Sequence, residues 1–207
     1  MEHKSPEKVK KIAREGIQSI YNAWDYLNNP KLREDLIDKV KTNDFETIKS
    51  VNALVMGDPS KKRVGFRNWR VTLNCEDYDV PEPEEIQDKM ERTFDEAKLL
   101  YESDPLEAAI KWHLEGAAIQ PFGDGNKRTF RLIQDKILSE NDMPPVLITA
   151  GEGKYYHNLL CKTLSAYKKG NVEEQKQFYD YCASKVNNGL DEILGDLNIP
   201  LRSCKDI

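Results

Sequence analysis

Apolar residues recur at helical spacing along most of the chain, which predicts amphipathic helices. The first run begins after Ser5 and Pro6, a pair suited to an N-cap and a first helical turn, and it ends before Pro30. The later runs with this spacing are Leu32, Leu36 and Val40; Phe45, Ile48, Val51 and Val55; Ile86, Met90, Phe94 and Ala97; Leu106, Ala109, Ile110 and Ala117; and Phe130, Ile133, Ile137 and Leu138. Further helices are predicted at about 154–168 and 172–187, so the pattern indicates a mainly helical, all-α protein.

The segment from about residue 62 to residue 76 departs from the helical spacing. Two short runs, Val64 with Phe66 and then Trp69, Val71 and Leu73, alternate with polar residues. Alternation is typical of strands, so this segment predicts a small β-hairpin that forms a flap on the helical bundle. A lone hairpin is marginal in water, so the flap is expected to pack on the helices or to offer a strand edge to a partner. An ordinary surface ribbon is the other interpretation.

Length and composition describe a soluble globular protein with one domain. The chain has 207 residues, of which 39% are hydrophobic and 32% charged, and no stretch is long and apolar enough for a membrane span. The amino terminus lacks the apolar core of a signal peptide, which favours a cytoplasmic location. A net charge of −5 argues against a general nucleic-acid binder. Neither a nucleic acid nor a membrane is therefore expected as a partner.

The four cysteines, Cys75, Cys161, Cys182 and Cys204, do not form the pattern of a metal site or a disulfide scaffold. They contain no CxxC pair, and no histidine stands at zinc spacing from them. Reduced and mostly buried thiols are therefore expected.

A candidate site for a phosphorylated ligand lies where a loop enters the helix around residue 130. Its residues are, in order, Gly123, Asp124, Gly125, Asn126, Lys127, Arg128 and Arg131. A helix start has unpaired N–H groups and a positive dipole end, and neighbouring cations repel one another unless a polyanion neutralises them. A single carboxylate beside phosphate-binding groups is typical of a magnesium site. An ordinary solvated helix start is the other interpretation, and the Walker and Rossmann spacings are not met.

The residues from Gln120 to Arg131, QPFGDGNKRTFR, resemble the signature of the Fic (Fido) family. That signature is usually written HPFx(D/E)GN(G/K)RxxR, and the chain matches it at every defined position except the first. The resemblance extends from about Phe45 to Val186. It implies a Fic-like core at 43–190, with the flap at about 62–76 and the motif at 120–131, an N-terminal helical extension at 1–42 and a C-terminal tail at 191–207.

Family members typically move AMP from ATP to a hydroxyl group of a target protein with the help of Mg²⁺, so the resemblance implies ATP, Mg²⁺ and a target protein as partners. It implies the following roles: Asp124 as the metal ligand; Gly123, Gly125 and Asn126 as the loop around the α- and β-phosphates; Arg128 and Arg131 as ligands of the outer phosphates, with Lys127 beside them; Phe122 as a core anchor; and Gly65, Phe66 and Arg67 as the part of the flap that docks an extended target segment.

The chain departs from the family signature at its first position, and this difference bears on catalysis. Gln120 stands where the family's histidine takes the proton from the attacking hydroxyl. An amide does not take up a proton near neutral pH, and general-base help is worth about 10²- to 10⁴-fold in rate. The sequence therefore leaves three functions open: a weakened or redirected AMP transferase, transfer of another phosphate-containing group, and a catalytically silent nucleotide-binding partner.

Neither nearby histidine is expected to replace the missing one. His113 lies on the apolar stripe of the preceding helix, about 10 Å along its axis from position 120, and is expected to be packed in the core. His157 is expected at the rim of the site or beside a nucleotide base. The chain also carries no copy of the family's inhibitory (S/T)xxxE(G/N) helix, because Lys11 stands four residues before Glu15. The oligomeric state, and delivery into another cell as an effector, stay open.

Overall fold

The computed structural model describes residues 5–29, 45–58, 60, 65–169 and 171–197. Within these residues the chain forms seven α-helices and no strand. The helices are α1 (Pro6–Leu27), α2 (Glu46–Val55), α3 (Ile86–Tyr101), α4 (Pro105–Ile119), α5 (Asn126–Glu140), α6 (Gly153–Lys169) and α7 (Val172–Asp196). The mainly helical fold class is thereby confirmed. The helix predicted around Leu36 lies outside the described residues.

Helices α1 and α4 begin where the sequence supplies a capping side chain followed by proline. The Ser5 hydroxyl accepts a hydrogen bond from the Lys8 N–H at 3.4 Å, and the Asp104 carboxylate accepts one from the Glu107 N–H at 2.8 Å. The first N–H groups of a helix have no partner within it, so such caps stabilise the start. These signals are local, and the predicted starts of both helices agree with the structure.

A row of aromatic rings forms the centre of the core. Phe45 lies 6.3 Å from Phe94, Phe94 lies 6.0 Å from Trp112, and Trp112 lies 6.4 Å from Phe130, measured between ring centroids. All of these rings are buried, and aromatic pairs at such distances contribute beyond the area that they bury. Trp112 belongs to α4 and Phe130 to α5, so the core holds the end of α4 close to the start of α5.

Helix α1 packs its C-terminal half against α2 and α5. Ala23 and Leu27 are buried there, whereas Val9, Ile12 and Ile17 nearer its start are exposed. The apolar stripe that predicts α1 from the sequence therefore extends beyond the part of the helix that the body covers.

The last helix, α7, continues to Asp196, nine residues past the predicted end at Asn187. Leu190 is partly buried against the core, and Ile193 follows it at helical spacing. The helix therefore crosses the predicted boundary between core and tail at residues 190 and 191. Across the described ranges, no helix is both long enough and apolar enough to span a membrane.

The segment at 65–82, which leads into α3, does not form the predicted β-hairpin. Its described residues contain no strand, so that prediction is wrong for this part of the chain. Phe66 faces the core, where its ring centroid lies 5.6 Å from Phe45 and 5.7 Å from Phe122. Leu73 is also partly buried against the core. The alternation of apolar residues thus reflects a chain that lies on the helices with one side, rather than two paired strands.

Through its side chain, Arg67 bonds backbone carbonyls of this segment and of the end of α4. Its Nε donates to the Gln120 carbonyl at 2.7 Å, while Nη1 donates to Trp69 at 2.8 Å and Nη2 to Pro81 at 2.6 Å, again to the carbonyl oxygens. Its own N–H donates to the Pro121 carbonyl at 2.8 Å. Because buried carbonyl groups need a partner, this buried guanidinium fixes both ends of the 67–81 stretch beside the end of α4.

Cys75 and Cys161 form a disulfide between this segment and α6, so the prediction of reduced thiols is wrong for these two residues. Their Cα atoms are 4.9 Å apart, and 86 residues separate them in the sequence. Local cysteine spacing carries no signal of a bridge over such a separation. Cys182 is a buried free thiol, as expected, and Cys204 lies outside the described residues.

Candidate functional site

The candidate site forms where α4 ends and α5 begins. Gln120 caps α4 with a φ of 50°, and Gly125 precedes α5 with a φ of 82°. Left-handed residues at such positions turn the chain sharply. Asn126 then fixes the loop, since its Oδ1 accepts from the Phe122 N–H at 2.9 Å and its Nδ2 donates to the Phe122 carbonyl at 2.8 Å. The Asn126 side chain is therefore part of the loop's internal structure.

Asn52 of α2 holds the same loop by hydrogen bonds. Its Nδ2 donates to the Asp124 carbonyl at 2.9 Å and to Thr129 Oγ1 at 3.1 Å. A Cβ on Gly125 would lie 2.9 Å from Asn52 Nδ2 and 2.9 Å from Met56 Sδ, so glycine is required here by α2 as well as by its positive φ. Sequence reasoning missed Asn52, because 72 residues separate it from Asp124 and no local pattern connects them.

A cavity of about 480 Å³ opens at the amino end of α5, within the size range of small-molecule sites. The predicted site residues that line it are Gln120, Gly123, Asp124, Gly125, Asn126, Lys127, Arg128 and Arg131. The other walls come from residues 71–74 of the 65–82 segment and from Gly153, Tyr156 and His157 of α6. The structure therefore brings every predicted nucleotide-binding residue to one cavity.

Cationic side chains crowd this cavity. Lys127 Nζ lies 3.5 Å from His157 Nδ1, and the Arg131 guanidinium lies over the Tyr156 ring, 5.8 Å from its centroid. Burial lowers the pKa of Lys127, repulsion from Arg131 lowers it further, and the charge of Asp124 acts in the opposite direction. A lowered lysine pKa means that the charged form is disfavoured here, and an anionic ligand at the helix start would relieve this cost.

Asp124 is the carboxylate of the site. Its Oδ1 accepts from the Gly125 N–H at 2.5 Å and lies 3.9 Å from Arg128 Nη2, and its side chain is 74% exposed. No group of three or more histidine, cysteine, aspartate or glutamate residues gathers in the part of the chain that the structure describes, so these residues make no all-protein metal cage. One accessible carboxylate beside an anion site fits Mg²⁺, which takes most of its ligands from phosphates and water.

Gln120 lines the cavity, and hydrogen bonds hold its amide on both sides. Its Oε1 accepts from Asn126 Nδ2 at 3.0 Å, and its Nε2 donates to the Ala117 carbonyl at 2.7 Å. The side chain is buried, and a neutral amide has no site for a proton near neutral pH. Gln120 thus stabilises the loop and is not a general base.

The predicted docking residues of the flap present little side-chain surface. Gly65 is exposed, Phe66 is partly buried against the core, and Arg67 is 3% exposed with its guanidinium bonded to backbone carbonyls. A docking role for the Arg67 side chain therefore does not agree with its position inside the protein. Docking of an extended target on this segment stays a prediction, and it would depend on backbone groups.

His113 is a packed core histidine, as expected. Its Nδ1 donates to Gln134 Oε1 at 2.5 Å, and its Nε2 accepts from the Tyr156 hydroxyl at 2.7 Å. Burial lowers the pKa of His113 to about 3, and repulsion from Arg131 is the second cause. His113 is therefore neutral in the folded protein and supports Tyr156 at the cavity wall.

Replacing His113 with glutamine is expected to flatten the acid dependence of stability. The pKa of His113 is 6.5 in its ordinary state and about 3 when folded, so the unfolded chain binds the proton first. The free energy of unfolding therefore falls as the pH drops through this window, by up to about 5 kcal/mol. Asp135 acts in the opposite direction, because burial raises its pKa to about 6. Wild type and His113→Gln both keep Asp135, so the difference between them isolates His113. The free energy of unfolding of each protein is measured by urea unfolding at several pH values. Equal slopes of this free energy against pH would refute a neutral His113.

Comparison with known proteins gives a family and named relatives. The model of the Fic/DOC family matches residues 5–138. The protein adenylyltransferase Fic of Nematostella vectensis is 30% identical over 157 residues, which are 73% of this chain and 35% of the relative. The protein adenylyltransferase fic-1 of Caenorhabditis elegans is 27% identical over 113 residues, which are 54% of this chain and 20% of the relative. The chain thus spans about a third or less of the length of these relatives.

Solved structures show the same fold. Fic-1 (aa134–508) from C. elegans superposes with a TM-score of 0.69 at 20% identity, over 96% of this chain and 54% of that chain. A Fic domain containing signaling protein from Bacteroides thetaiotaomicron gives a TM-score of 0.68 at 17% identity, over 98% of this chain and 78% of that chain. At these identities the likeness is evidence for the fold alone.

Proposed function

The chain belongs to the Fic/DOC family, and on this premise we propose that it moves AMP from ATP to a hydroxyl group of a target protein with the help of Mg²⁺. The observation that carries the proposal is the cavity at the amino end of α5, where Lys127, Arg128 and Arg131 gather beside Asp124. A metal-bound triphosphate supplies anionic groups for the cations and a cation for the carboxylate. The relatives named protein adenylyltransferase support AMP as the transferred group.

The proposed nucleotide ligands are Gly123, Gly125, Asn126, Lys127, Arg128 and Arg131, all of which line the cavity. The first N–H groups of α5 have no partner within the helix and are free to bind the inner phosphates. Arg131 is placed over Tyr156 and binds an outer phosphate, while Lys127 and Arg128 add charge on either side. Magnesium held by Asp124 would neutralise charge on the phosphates.

A catalytically silent nucleotide-binding protein is the second candidate, and the position of Gln120 favours it. The Gln120 amide is hydrogen-bonded to Asn126 and Ala117 and does not accept a proton. Position 120, where the family's histidine acts, therefore lacks a general base. Phosphoryl chemistry depends chiefly on positioning and charge stabilisation, and the residues for both remain. A slow transferase therefore stays the first candidate.

ATP labelled on the α-phosphate or on the γ-phosphate separates these candidates. The protein is incubated with each nucleotide, Mg²⁺ and a cell lysate, and label on protein bands is measured. Label from the α-phosphate alone is the expected result. Label from the γ-phosphate alone would indicate phosphate transfer, and label from neither, despite Mg²⁺-dependent ATP binding, would indicate a silent protein.

Two arginine variants complete this experiment. Arg131→Ala removes a cation from the cavity and is expected to abolish the label. Arg92→Ala removes an exposed arginine of α3 that lies outside the cavity and outside the 65–82 segment, and it is expected to keep the label. Equal labelling by both variants would mean that the transfer does not use this cavity.

The other partners and the compartment stay predictions from the sequence. We propose a target protein that docks on the 65–82 segment, with the oligomeric state open, and a cytoplasmic location. Because disulfides persist in oxidising compartments and are reduced in a cytosol, this location would expose the Cys75–Cys161 bridge to reduction.

A further inference from the structure

The Cys75–Cys161 disulfide joins two walls of the candidate nucleotide cavity. Cys75 directly follows the cavity-lining residue Asn74, and Cys161 lies one turn after His157 on α6. A second cavity of about 460 Å³ is lined by both cysteines and shares Asn74 and His157 with the first. The bridge therefore stands between a space that a small molecule can enter and the wall of the proposed active site.

We propose that this bridge is a reducible site, at which a small thiol of the glutathione class opens the disulfide, frees residues 70–77 from α6 and widens access to the nucleotide cavity. Both cysteines are partly exposed, and the second cavity gives a small thiol a path to them. Cys182 differs, because it is fully buried and burial raises the pKa of its thiol to about 12. A thiol in such surroundings is inert.

The environment of the two sulfurs is unequal and favours attack on Cys75. His157 Nε2 lies 3.7 Å and Nδ1 3.9 Å from Cys161 Sγ. A ring N–H at this distance stabilises a thiolate, so Cys161 is the better leaving group. Lys162 and Lys169 line the same cavity, but Lys162 pairs with Glu174 at 3.8 Å and Lys169 pairs with Asp77 at 2.9 Å. The two sulfurs therefore differ through His157 and not through the charge of the cavity.

The exchange proceeds in two steps that balance. The thiolate of the small thiol attacks Cys75 Sγ, the S–S bond breaks, and Cys161 leaves as a thiolate. A second small thiolate attacks the small-molecule sulfur of the mixed disulfide, which forms the small-molecule disulfide and releases Cys75 as a thiolate. Two small thiols thus supply two electrons to the bridge, and their two protons end on Cys75 and Cys161.

Among the described residues, two further contacts between this stretch and α6 can be named. The Ser165 hydroxyl donates to the Glu76 carbonyl at 2.6 Å, and Lys169 Nζ pairs with Asp77 at 2.9 Å. The second contact joins side chains that are 58% and 65% exposed, and ion pairs of this kind contribute little. Arg67 fixes the far end of the segment independently of the bridge. Opening the disulfide therefore loosens residues 70–77 and leaves the rest of the fold in place.

Hydrogen–deuterium exchange read by mass spectrometry tests this on the whole chain. Oxidised wild-type protein is compared with wild-type protein treated with reduced glutathione or dithiothreitol without denaturant, and with Cys75→Ser and Cys161→Ser. In each opened form, the amide of residue 75, whose N–H donates to the Leu73 carbonyl at 2.6 Å, is expected to exchange at least about tenfold faster than in the oxidised protein, while the amides of α4 and α5 keep their rates. Alkylation before and after treatment counts the thiols that reduction forms.

Cys182→Ala keeps the bridge and is expected to exchange at residue 75 like oxidised wild type. A bridge that both thiols leave intact in the folded protein would overturn the reducible site. Unchanged exchange at residue 75 in the opened forms would overturn the release of the segment. Fast exchange throughout α4 and α5 in the opened forms would also overturn the selective release of residues 70–77, because the bridge would then stabilise the core.

Access to the nucleotide cavity is the part of the inference that rests on the proposed function. Stopped-flow mixing with ATP is expected to show at least about threefold faster association for the reduced protein, as for the opening of a lid. Equal association rates for both forms would overturn the effect on access. If neither form binds ATP, the proposed function fails, whereas the exchange result still decides whether the bridge releases the segment.

Discussion

Gln120→His is expected to raise the rate of AMP transfer to protein hydroxyl groups by about 10²- to 10⁴-fold, the usual range of general-base help. Position 120 lies on the cavity wall, and its φ of 50° is one that histidine adopts more readily than most side chains do. An imidazole takes up a proton near neutral pH, whereas the natural amide does not. The measurement is the initial rate of label transfer from α-labelled ATP at saturating nucleotide.

Gln120→Asn is the matched variant for this experiment. Asparagine also tolerates a positive φ but has no site for the proton, so no gain in rate is expected. The affinity for ATP is expected to stay within about threefold in all of these proteins, because the phosphate ligands are unchanged. A histidine variant that binds ATP like wild type and transfers AMP no faster would refute a role of position 120 in proton transfer.

Gly116→Ala is expected to destabilise the fold by about 3 kcal/mol, at the upper end of the usual range for overpacking. A Cβ at this position of α4 would lie 2.2 Å from Phe130 Cγ, well inside van der Waals contact. The Phe130 ring is fully buried and stacks between Trp112 and Phe122, so it cannot turn aside. The helices α4 and α5 must therefore separate, and the midpoint of urea unfolding measures the cost.

Gly16→Ala is the control, because a Cβ built at this position of α1 has no atom of the described residues within 4 Å, apart from its chain neighbours and the backbone of its own helix. Alanine has the higher helix propensity, so this variant is expected to be more stable by about 0.5 to 1 kcal/mol. If Gly116→Ala unfolds at the same urea concentration as wild type, the close packing of α4 on α5 is not as described. If Gly16→Ala is destabilised, the helix α1 has a neighbour there.

The helices were predictable from the sequence because their signals are local. Ser5 and Asp104 each cap a helix three residues before the N–H that they accept from, so one short stretch contains both partners. The β-hairpin was not predictable in the same way. The alternation of Trp69, Val71 and Leu73 suggests a strand when read alone. The Arg67 guanidinium instead bonds carbonyls of this segment and of the end of α4, a long-range arrangement without a local pattern.

The candidate site also combines features that the sequence predicted with features that it did not. The motif predicted which residues line the cavity, because it is one continuous stretch around the start of α5. It did not predict that the Asn126 side chain turns inward to bond Phe122 and Gln120. It also gave no sign of Asn52 or of the Cys75–Cys161 bridge, since their partners are distant in sequence and meet only through tertiary packing.

Calorimetric titration with ATP, in the presence and absence of Mg²⁺, tests most directly whether the cations at the start of α5 bind a triphosphate with a metal at Asp124. Wild type and the exposed-arginine control Arg92→Ala are predicted to bind ATP more tightly with Mg²⁺. Arg131→Ala is predicted to bind at least about tenfold more weakly, and Asp124→Ala to lose the effect of Mg²⁺. Absence of ATP binding by wild type would contradict the account. Equal ATP affinities of wild type, Arg131→Ala and Asp124→Ala, both with and without Mg²⁺, would also contradict it.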